Sequence, residues 1–533
     1  HHRLLREAIE REFQVMIDFN VFEIVDKEDL PPHSPRPIST TWVLRVKANA
    51  DGTIDKYKAR LCARGFLQRW GKDYWHTFAP VARLPTIRLQ VAIANKLRMK
   101  LKHLDFKSAF LQGELQESLY MELPEGWEDI LAKLMLKQGI TLDAGKVIKL
   151  NKGIYGLKQA GRIWYQAMSK LFLAIGFTQS AADTCLFQLR TRQSHIIITT
   201  WVDDCIVAYN NEKEWRKILN KITTKFKLGY GENFEWCLGM AVSRDLETNT
   251  LCLHQSLYVQ DLLAKFNMTE AISIRTPADP GTVLSKDMAP TTEQEMEAMS
   301  KVPYRSLLGA LQHLANFTRP DIALAVGICA RFANCYGPAH WKALKRILRY
   351  LKGTQDDQGF SPGLKFDGNR PGLITGYADA DYARDIDFRK STSGIMFLNW
   401  GTPILWSSKR QPIVAQSTAE AEYTALAEAT KDSVWLRRLL RDYGYRVKTI
   451  TIHEDNMACI QMVDNPVFHR RTKHIEVRAH VTRDHVSRGD LSVQYVETSK
   501  QLADILTKPL PKPGFERLRN QLVKHDSKRL RNQ

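Results

Sequence analysis

Apolar residues along this chain alternate between two periods, and the switches mark its elements. From Leu4, LLREAIEREFQVM returns an apolar side chain every three or four positions and predicts a helix. A short strand, FEIVDK, and a proline-rich break, LPPHSPRP, follow it. Over 40–68 the period falls to two, and TTWVLRVKAN and TIDKYKARLCARGF flank Asp51-Gly52 as the arms of a β-hairpin. Next come a helix at TIRLQVAIANKLRM, a short apolar segment ending at Asp105, a loop and hairpin through YMELPEGW, and a helix near 160–175. IIITTWVDDCIVAYN reads as two β-rich arms joined at Asp203 and Asp204, and EKEWRKILNKITTKF as a lysine-rich helix. The polar, proline-containing stretch 275–303 predicts a linker or long loop, and helices dominate 304–353.

Near 355–371 the texture changes to loop and hairpin. Beyond it LITGYADADYA, GIMFLNW and TPILWSS predict three strands, and STAEAEYTALAEATKDSVWLRRLL a long helix. A strand (KTITIHED), helices, a strand (DLSVQYVE) and a short helix (KQLADILTK) complete a compact α/β unit over 371–510. Residues 511–533 read as a basic tail, seven Lys/Arg less two acids giving +5. The pattern is that of a multidomain α+β chain closed by an α/β unit with a mixed sheet.

At 533 residues the chain exceeds what one core supports. A hydrophobic fraction of 44% suits a folded protein. Lys+Arg of 77 against Asp+Glu of 58 leaves +19, an excess that favours an anionic partner, above all nucleic acid. The eight cysteines are scattered without zinc spacing and read as reduced thiols of an intracellular protein. No apolar run approaches a membrane span, so no membrane partner is expected. The chain opens on His, inside a helix-like segment, and so reads as a piece of something longer.

Two adjacent carboxylates between apolar strands repel unless a cation offsets them. Mg²⁺, held by one or two carboxylates and substrate phosphates, is the natural offset. Asp105 supplies a third acid, and three aspartates on neighbouring strands suit two-metal phosphoryl transfer. A second set lies in the α/β unit: Asp379 on its first strand, Glu422 on the long helix, Asp455 at the end of the fourth strand and Asp504 on the last helix. Asp381 and Glu420 stand beside two of these. Glu422 shares a helical face with Leu426 and Ala429, whereas alternation puts Asp379 and Asp381 on the same side and does not choose between them.

The runs KYKARLCARGFLQRWGKDYWHTFAPVARLPTIR, HLDFKSAFLQGEL, GIYGLKQAGRIWY and WVDDCIVA, in that order, resemble the polymerase of copia-type LTR retrotransposons. So do SLLGALQHLANFTRPDIALAV, HWKALKRILRYLKGT and SKRQPIVAQSTAEAEYTAL, and the resemblance covers roughly residues 5–520. It implies a right-hand polymerase with fingers and palm over 1–242, thumb and connection over 243–370, a ribonuclease H-like domain over 371–510 and the tail beyond. It implies Asp105, Asp203 and Asp204 as ligands of two Mg²⁺ ions, with Mn²⁺ as a substitute. Phe110 would block the 2′-hydroxyl of a ribonucleotide, Gln159 would contact the nucleotide, and Lys58 and Arg60 would clamp its triphosphate. Core packing for Phe110 and solvation for the two cations are the structural alternatives.

The same resemblance favours Asp379 over Asp381 and makes Asp379, Glu422, Asp455 and Asp504 the ligands of a second metal pair that hydrolyses RNA in an RNA–DNA hybrid. It marks His474 as a typical feature with a structural or a proton-transfer role. One position departs: Trp201 stands where the family carries Tyr before Val-Asp-Asp. RNA template, DNA primer, hybrid, dNTPs and other parts of a Gag-Pol polyprotein are the implied partners, with cytoplasmic particles as the expected location and the nucleus an alternative. The competing expectation is a decayed or host-adopted copy that binds nucleic acid without catalysis.

Overall fold

The computed structural model describes residues 2–48, 54–464 and 476–526. The expected turn at Asp51-Gly52, and His474, lie outside the described residues. Among these there are five sheets. The one that organises the N-terminal half has six strands, in the order Leu228–Asn233, Lys100–Phe106, Asp204–Tyr209, His195–Trp201, Leu186–Arg190 and Thr178–Gln179. Its two central arms are buried almost throughout because both faces are covered. Ile196, Ile198, Cys205 and Val207 enter a core with Trp164, Phe172 and Trp215 of the helices Ala160–Ile175 and Glu212–Lys225. Their neighbours Ile197, Ile206 and Ala208 enter another with Ile87, Leu89, Val91 and Ile93 of the helix Leu84–Lys96.

The C-terminal sheet is mixed, as expected. Thr402–Arg410, Thr392–Asn399 and Ile374–Asp381 run antiparallel, and Ile450–Glu454 and Leu491–Tyr495 join in parallel. The helix Thr418–Asp442 packs on this sheet, with Tyr423, Leu426, Ala429 and Leu436 fully buried.

Several local readings resolve differently once distant segments pair. The strand Glu114–Met121 pairs not with a neighbour across YMELPEGW but with Lys146–Lys152. The intervening helix Leu131–Leu136 tucks Leu131, Leu134 and Met135 into the same core. Around 355–371 a single strand, Leu364–Asp367, adds to the edge of Thr250–His254. Within 275–303 the helix Glu293–Ser300 is nucleated by a Thr292/Glu295 capping box. The stretch read as a basic tail contains the helix Lys512–Leu522, which buries Phe515, Leu518 and Leu522 and sets the Phe515 ring edge-on to Tyr350 at 5.5 Å.

The helix Leu84–Lys96 is buried from Thr86 to Asn95 and is wedged between the six-stranded and the C-terminal sheets. Its polar residues are spent on distant backbone. Gln90 donates to Ile206 O at 2.9 Å, and Asn95 to Asn249 O at 2.8 Å. Arg88 lies flat on Trp406, 3.8 Å from the ring centre, and donates to Ile404 O (2.9 Å), Phe317 O (3.0 Å) and Asn316 O. Burial lowers its pKa to about 9, so it stays charged at neutral pH. A second junction runs along the far end of the long helix, where Ser180 donates to Asp442 at 2.6 Å and Trp435 to Ala182 O at 2.8 Å. A continuous core, including Leu89, Ile206, Leu253, Phe366, Leu405 and Tyr443, joins the six-stranded sheet, the strands Thr250–His254 and Leu364–Asp367, and the C-terminal sheet.

Arg88→Met should leave the carbonyls of Ile404, Phe317 and Asn316 without this donor and cost roughly 3 kcal/mol. Thermal denaturation checks this: a melting temperature equal to that of the unmodified chain would show that the junction does not depend on the guanidinium.

Candidate active sites

The first site is assembled by strand register. Asp105 and Asp204 are directly opposed on the strands Lys100–Phe106 and Asp204–Tyr209, so their carboxylates share a face. His103, two residues back on that face, places Nε2 2.8 Å from Asp204 Oδ1. Between Trp201 and Asp204 the chain reverses in two residues, Val202 and Asp203. Val202 has φ +58°, a left-handed conformation that β-branched residues seldom adopt and that hairpin turns usually give to glycine. The turn is held on both sides: the Trp164 indole donates to Val202 O at 2.7 Å, and Phe106 N to Asp203 O at 3.1 Å.

Burial raises the Asp203 carboxyl pKa, and the charges of Asp204 and Asp105 push it further while Arg60 opposes them. Room for Asp105 comes from Gly229, where a Cβ would fall 2.4 Å from Asp105 Oδ2.

The expected nucleotide-binding residues divide. Arg60 stacks 4.7 Å above the Tyr155 ring, and Phe110 meets the same ring at 5.5 Å, so the basic hairpin leads through aromatic contacts towards the aspartates. Lys58 lies on the same hairpin, opposite Arg45. Gln159 is buried with both ends of its amide engaged, accepting from Gln68 at 3.0 Å and donating to Asp73 O at 3.0 Å; it braces the 68–73 loop. Trp201 is half-buried at the strand end, paired with Asp204.

The second site sits on the C-terminal sheet. Asp379 is almost fully buried and pairs in register with Gly394. A Cβ on Gly394 would lie 2.6 Å from Thr507 Cγ2 and 2.8 Å from Ala503 O, so glycine admits the 3₁₀ segment Leu502–Leu506 that carries Asp504. The Thr507 hydroxyl donates to Asp379 Oδ2, and Lys508 pairs with Asp504 Oδ1 at 2.7 Å.

Ligand oxygens of Asp379, Asp455 and Asp504 lie within 4.8 Å of one another, and so do those of Glu422, Glu454 and Asp455. Asp455 belongs to both groups. The two neighbours left open by sequence have other surroundings: Glu420 accepts from Gln416 N at 2.7 Å at the start of the long helix, and Asp381 faces Arg384 and Arg331. Burial lifts Asp381 to about 6. Glu422 is driven well above the carboxylate range by burial and by Asp379, Glu454 and Asp455.

A family profile described as "Reverse transcriptase (RNA-dependent DNA polymerase)" matches residues 19–280. The Pol polyprotein of transposon TNT 1-94 from Nicotiana tabacum is 37% identical over 513 residues, covering 96% of this chain and 37% of that protein. That of transposon RE2 from Arabidopsis thaliana is 36% identical over 516 residues, covering 96% of this chain and 33% of that protein. The chain belongs to the copia-type retrotransposon reverse transcriptase family. It spans about a third of the length of these Pol relatives. Among solved structures, a foamy viral protease-reverse transcriptase in complex with double-stranded DNA superposes at TM-score 0.46 and 12% identity, over 92% of this chain and 69% of that one.

Every donor in both acid sets of this reverse-transcriptase chain is a carboxylate, which suits a hard divalent cation, but among the described residues only the second set gathers its ligand oxygens within 4.8 Å. In the second set, Glu422 Oε2 and Glu454 Oε2 are buried without a hydrogen-bond partner, a costly state that a cation relieves. Three residues here escaped the sequence reading. Glu454 continues the inward alternation Ile450, Ile452, Glu454 and was detectable by period; Lys508 follows Asp504 by four residues. His103 shares a strand face with Asp105, but its contact to Asp204 depends on register. Among the described residues no helix is long and apolar enough to cross a membrane, and all eight cysteines are free.

Gly229→Ala should displace the Asp105 carboxylate and weaken Mn²⁺ binding at the first site by roughly tenfold. Paramagnetic titration checks this, with an unchanged melting temperature ruling out a folding defect. A pH test addresses Glu422. The unfolded chain ionises this residue above 4.5 while the folded chain holds its proton, so the unfolded state binds fewer protons and stability falls as pH rises. In chelator, the melting temperature of Glu422→Gln relative to the unmodified chain should therefore climb between about pH 5 and pH 8. A flat difference would place the carboxyl in its ordinary range.

Proposed function

We propose that the chain is an RNA- and DNA-directed DNA polymerase that also cleaves the RNA strand of RNA–DNA hybrids, by two-metal phosphoryl transfer at each centre. The observation that carries this reading is the presence, in one chain of this family, of two separate carboxylate constellations. One is Asp105 opposed to Asp204 with Asp203 at the turn; the other is the pair of groups sharing Asp455. Fingers and palm over 1–242, thumb and connection over 243–370 and a ribonuclease H-like unit over 371–510 form the corresponding division of labour.

Asp105, Asp203 and Asp204 at the first centre, and Asp379, Glu422, Asp455 and Asp504 at the second, would hold Mg²⁺ (or Mn²⁺), which when bound supplies Lewis-acid stabilisation of attacking and leaving oxygens. The protein's own part is orientation. The held turn fixes the backbone of Asp203. Lys58 and Arg60 offer cations to a triphosphate, and Phe110, braced by Tyr155, presents a flat ring against a 2′-hydroxyl. Gln159 acts indirectly, through the loop it braces. The +19 surface suits a hybrid held by its phosphates and shape, without reading of sequence. Template RNA, primer DNA and dNTPs are the substrates, and the rest of a Gag-Pol polyprotein is the natural physical partner.

Primer extension on an end-labelled RNA template, with dNTPs and Mg²⁺, tests both activities at once. Asp203→Asn should abolish extension and spare template cleavage, and Asp379→Asn should do the reverse. Tight hybrid binding without extension by the unmodified chain would instead identify a decayed copy that survives as a binding protein.

A further inference from the structure

The second centre contains one more carboxylate, Glu454, than the hydrolytic reading uses. Glu454 is fully buried at the end of the strand Ile450–Glu454. Its Oε1 accepts from Asn456 N at 3.1 Å, and its Oε2 has no hydrogen-bond partner. A buried glutamate with an orphaned oxygen is expensive to ionise unless something cationic meets it. Its oxygen lies within 4.8 Å of ligand oxygens on Glu422, also orphaned at Oε2, and on Asp455. The nearby Cys459 thiol, raised far by burial and by Glu454, offers no positive charge.

The other group, Asp379, Asp455 and Asp504, differs in one respect. It carries a cation of its own, Lys508, whose ammonium contacts Asp504 Oδ1 at 2.7 Å and lies close enough to Asp379 and Asp455 to be held by both. An ammonium among three carboxylates competes with any divalent ion for the same charge.

We propose that Glu454 is a metal ligand, and that the centre is thereby asymmetric: Glu422, Glu454 and Asp455 form a tight cation position, while Asp379, Asp455 and Asp504 form a weaker one gated by Lys508. The proposal rests on the hydrolytic reading of this centre. Cations then load in order. The second would bind only as Lys508 yields Asp504.

The test is Mn²⁺ titration followed by electron paramagnetic resonance, in an Asp105→Asn/Asp203→Asn background so that the polymerase centre contributes nothing. The background chain should show a tight and a weak class. Glu454→Gln should weaken the tight class by roughly tenfold or more. Lys508→Met should tighten the weak class several-fold and leave the tight class in place. In chelator, Glu454→Gln should melt at or above the background temperature, because a neutral amide takes the place of a buried acid that is costly to ionise. A purely structural glutamate would lower that temperature and leave the titration alone. Should Glu454→Gln fail to fold, Glu454→Asp, which keeps the charge and retracts it, serves for the same comparison.

A titration unchanged by either Glu454 variant overturns the ligand assignment, and one unchanged by Lys508→Met overturns the gating. Hybrid cleavage by the unmodified chain is assayed in parallel. Cleavage with an unaltered titration defeats this proposal alone, and an altered titration without cleavage defeats only the hydrolytic reading.

Discussion

One buried guanidinium ties the molecule together. Arg88 stands on a helix of the N-terminal half, yet its donors reach the end of the helix Tyr304–Phe317 and a strand of the C-terminal sheet, and its plane rests on Trp406 of that strand. Carbonyl oxygens and an aromatic face solvate the charge without any acid. The three carbonyls are thereby coupled through one cation. The uninterrupted burial of the helix around it follows, because a guanidinium so placed requires all three regions at once.

Repulsion among carboxylates is the second constraint, and the two centres meet it by different means. At the first, the acids are partly open to solvent, and the backbone supplies the order through strand register, a turn held from two sides and a glycine that leaves space. At the second, the acids are inside the protein. There the answer is chemical: protons retained by Glu422, a hydroxyl on Asp379 and an ammonium on Asp504. The first centre is thus prepared mainly by geometry and the second mainly by charge.

What the sequence revealed follows the same division. The apolar arms around Asp203 and Asp204, the long helix of Glu422 and the strand of Asp379 were legible because period and turn chemistry are local. Glu454 was legible in principle, as the third inward position of an alternating strand. Gly229 and His103 could not be read, because their meaning lies in a partner strand. Arg88 looked like any arginine on an amphipathic helix, since nothing local says that both faces will be covered. The strand at 364–367 and the helix at 512–522 were misjudged for a similar reason: short or basic segments acquire structure from the surface they land on.

The conformation of Val202 has a meaning for the history of such elements. A glycine there would relieve the backbone but let the aspartate beside it wander, and a valine does the opposite. The strain is constant, paid by every molecule whether or not it ever copies a strand. In a lineage released from the need to synthesise DNA, nothing would oppose its relief. Left-handed valine at this turn is therefore a standing cost that only the placement of the aspartate beside it offsets.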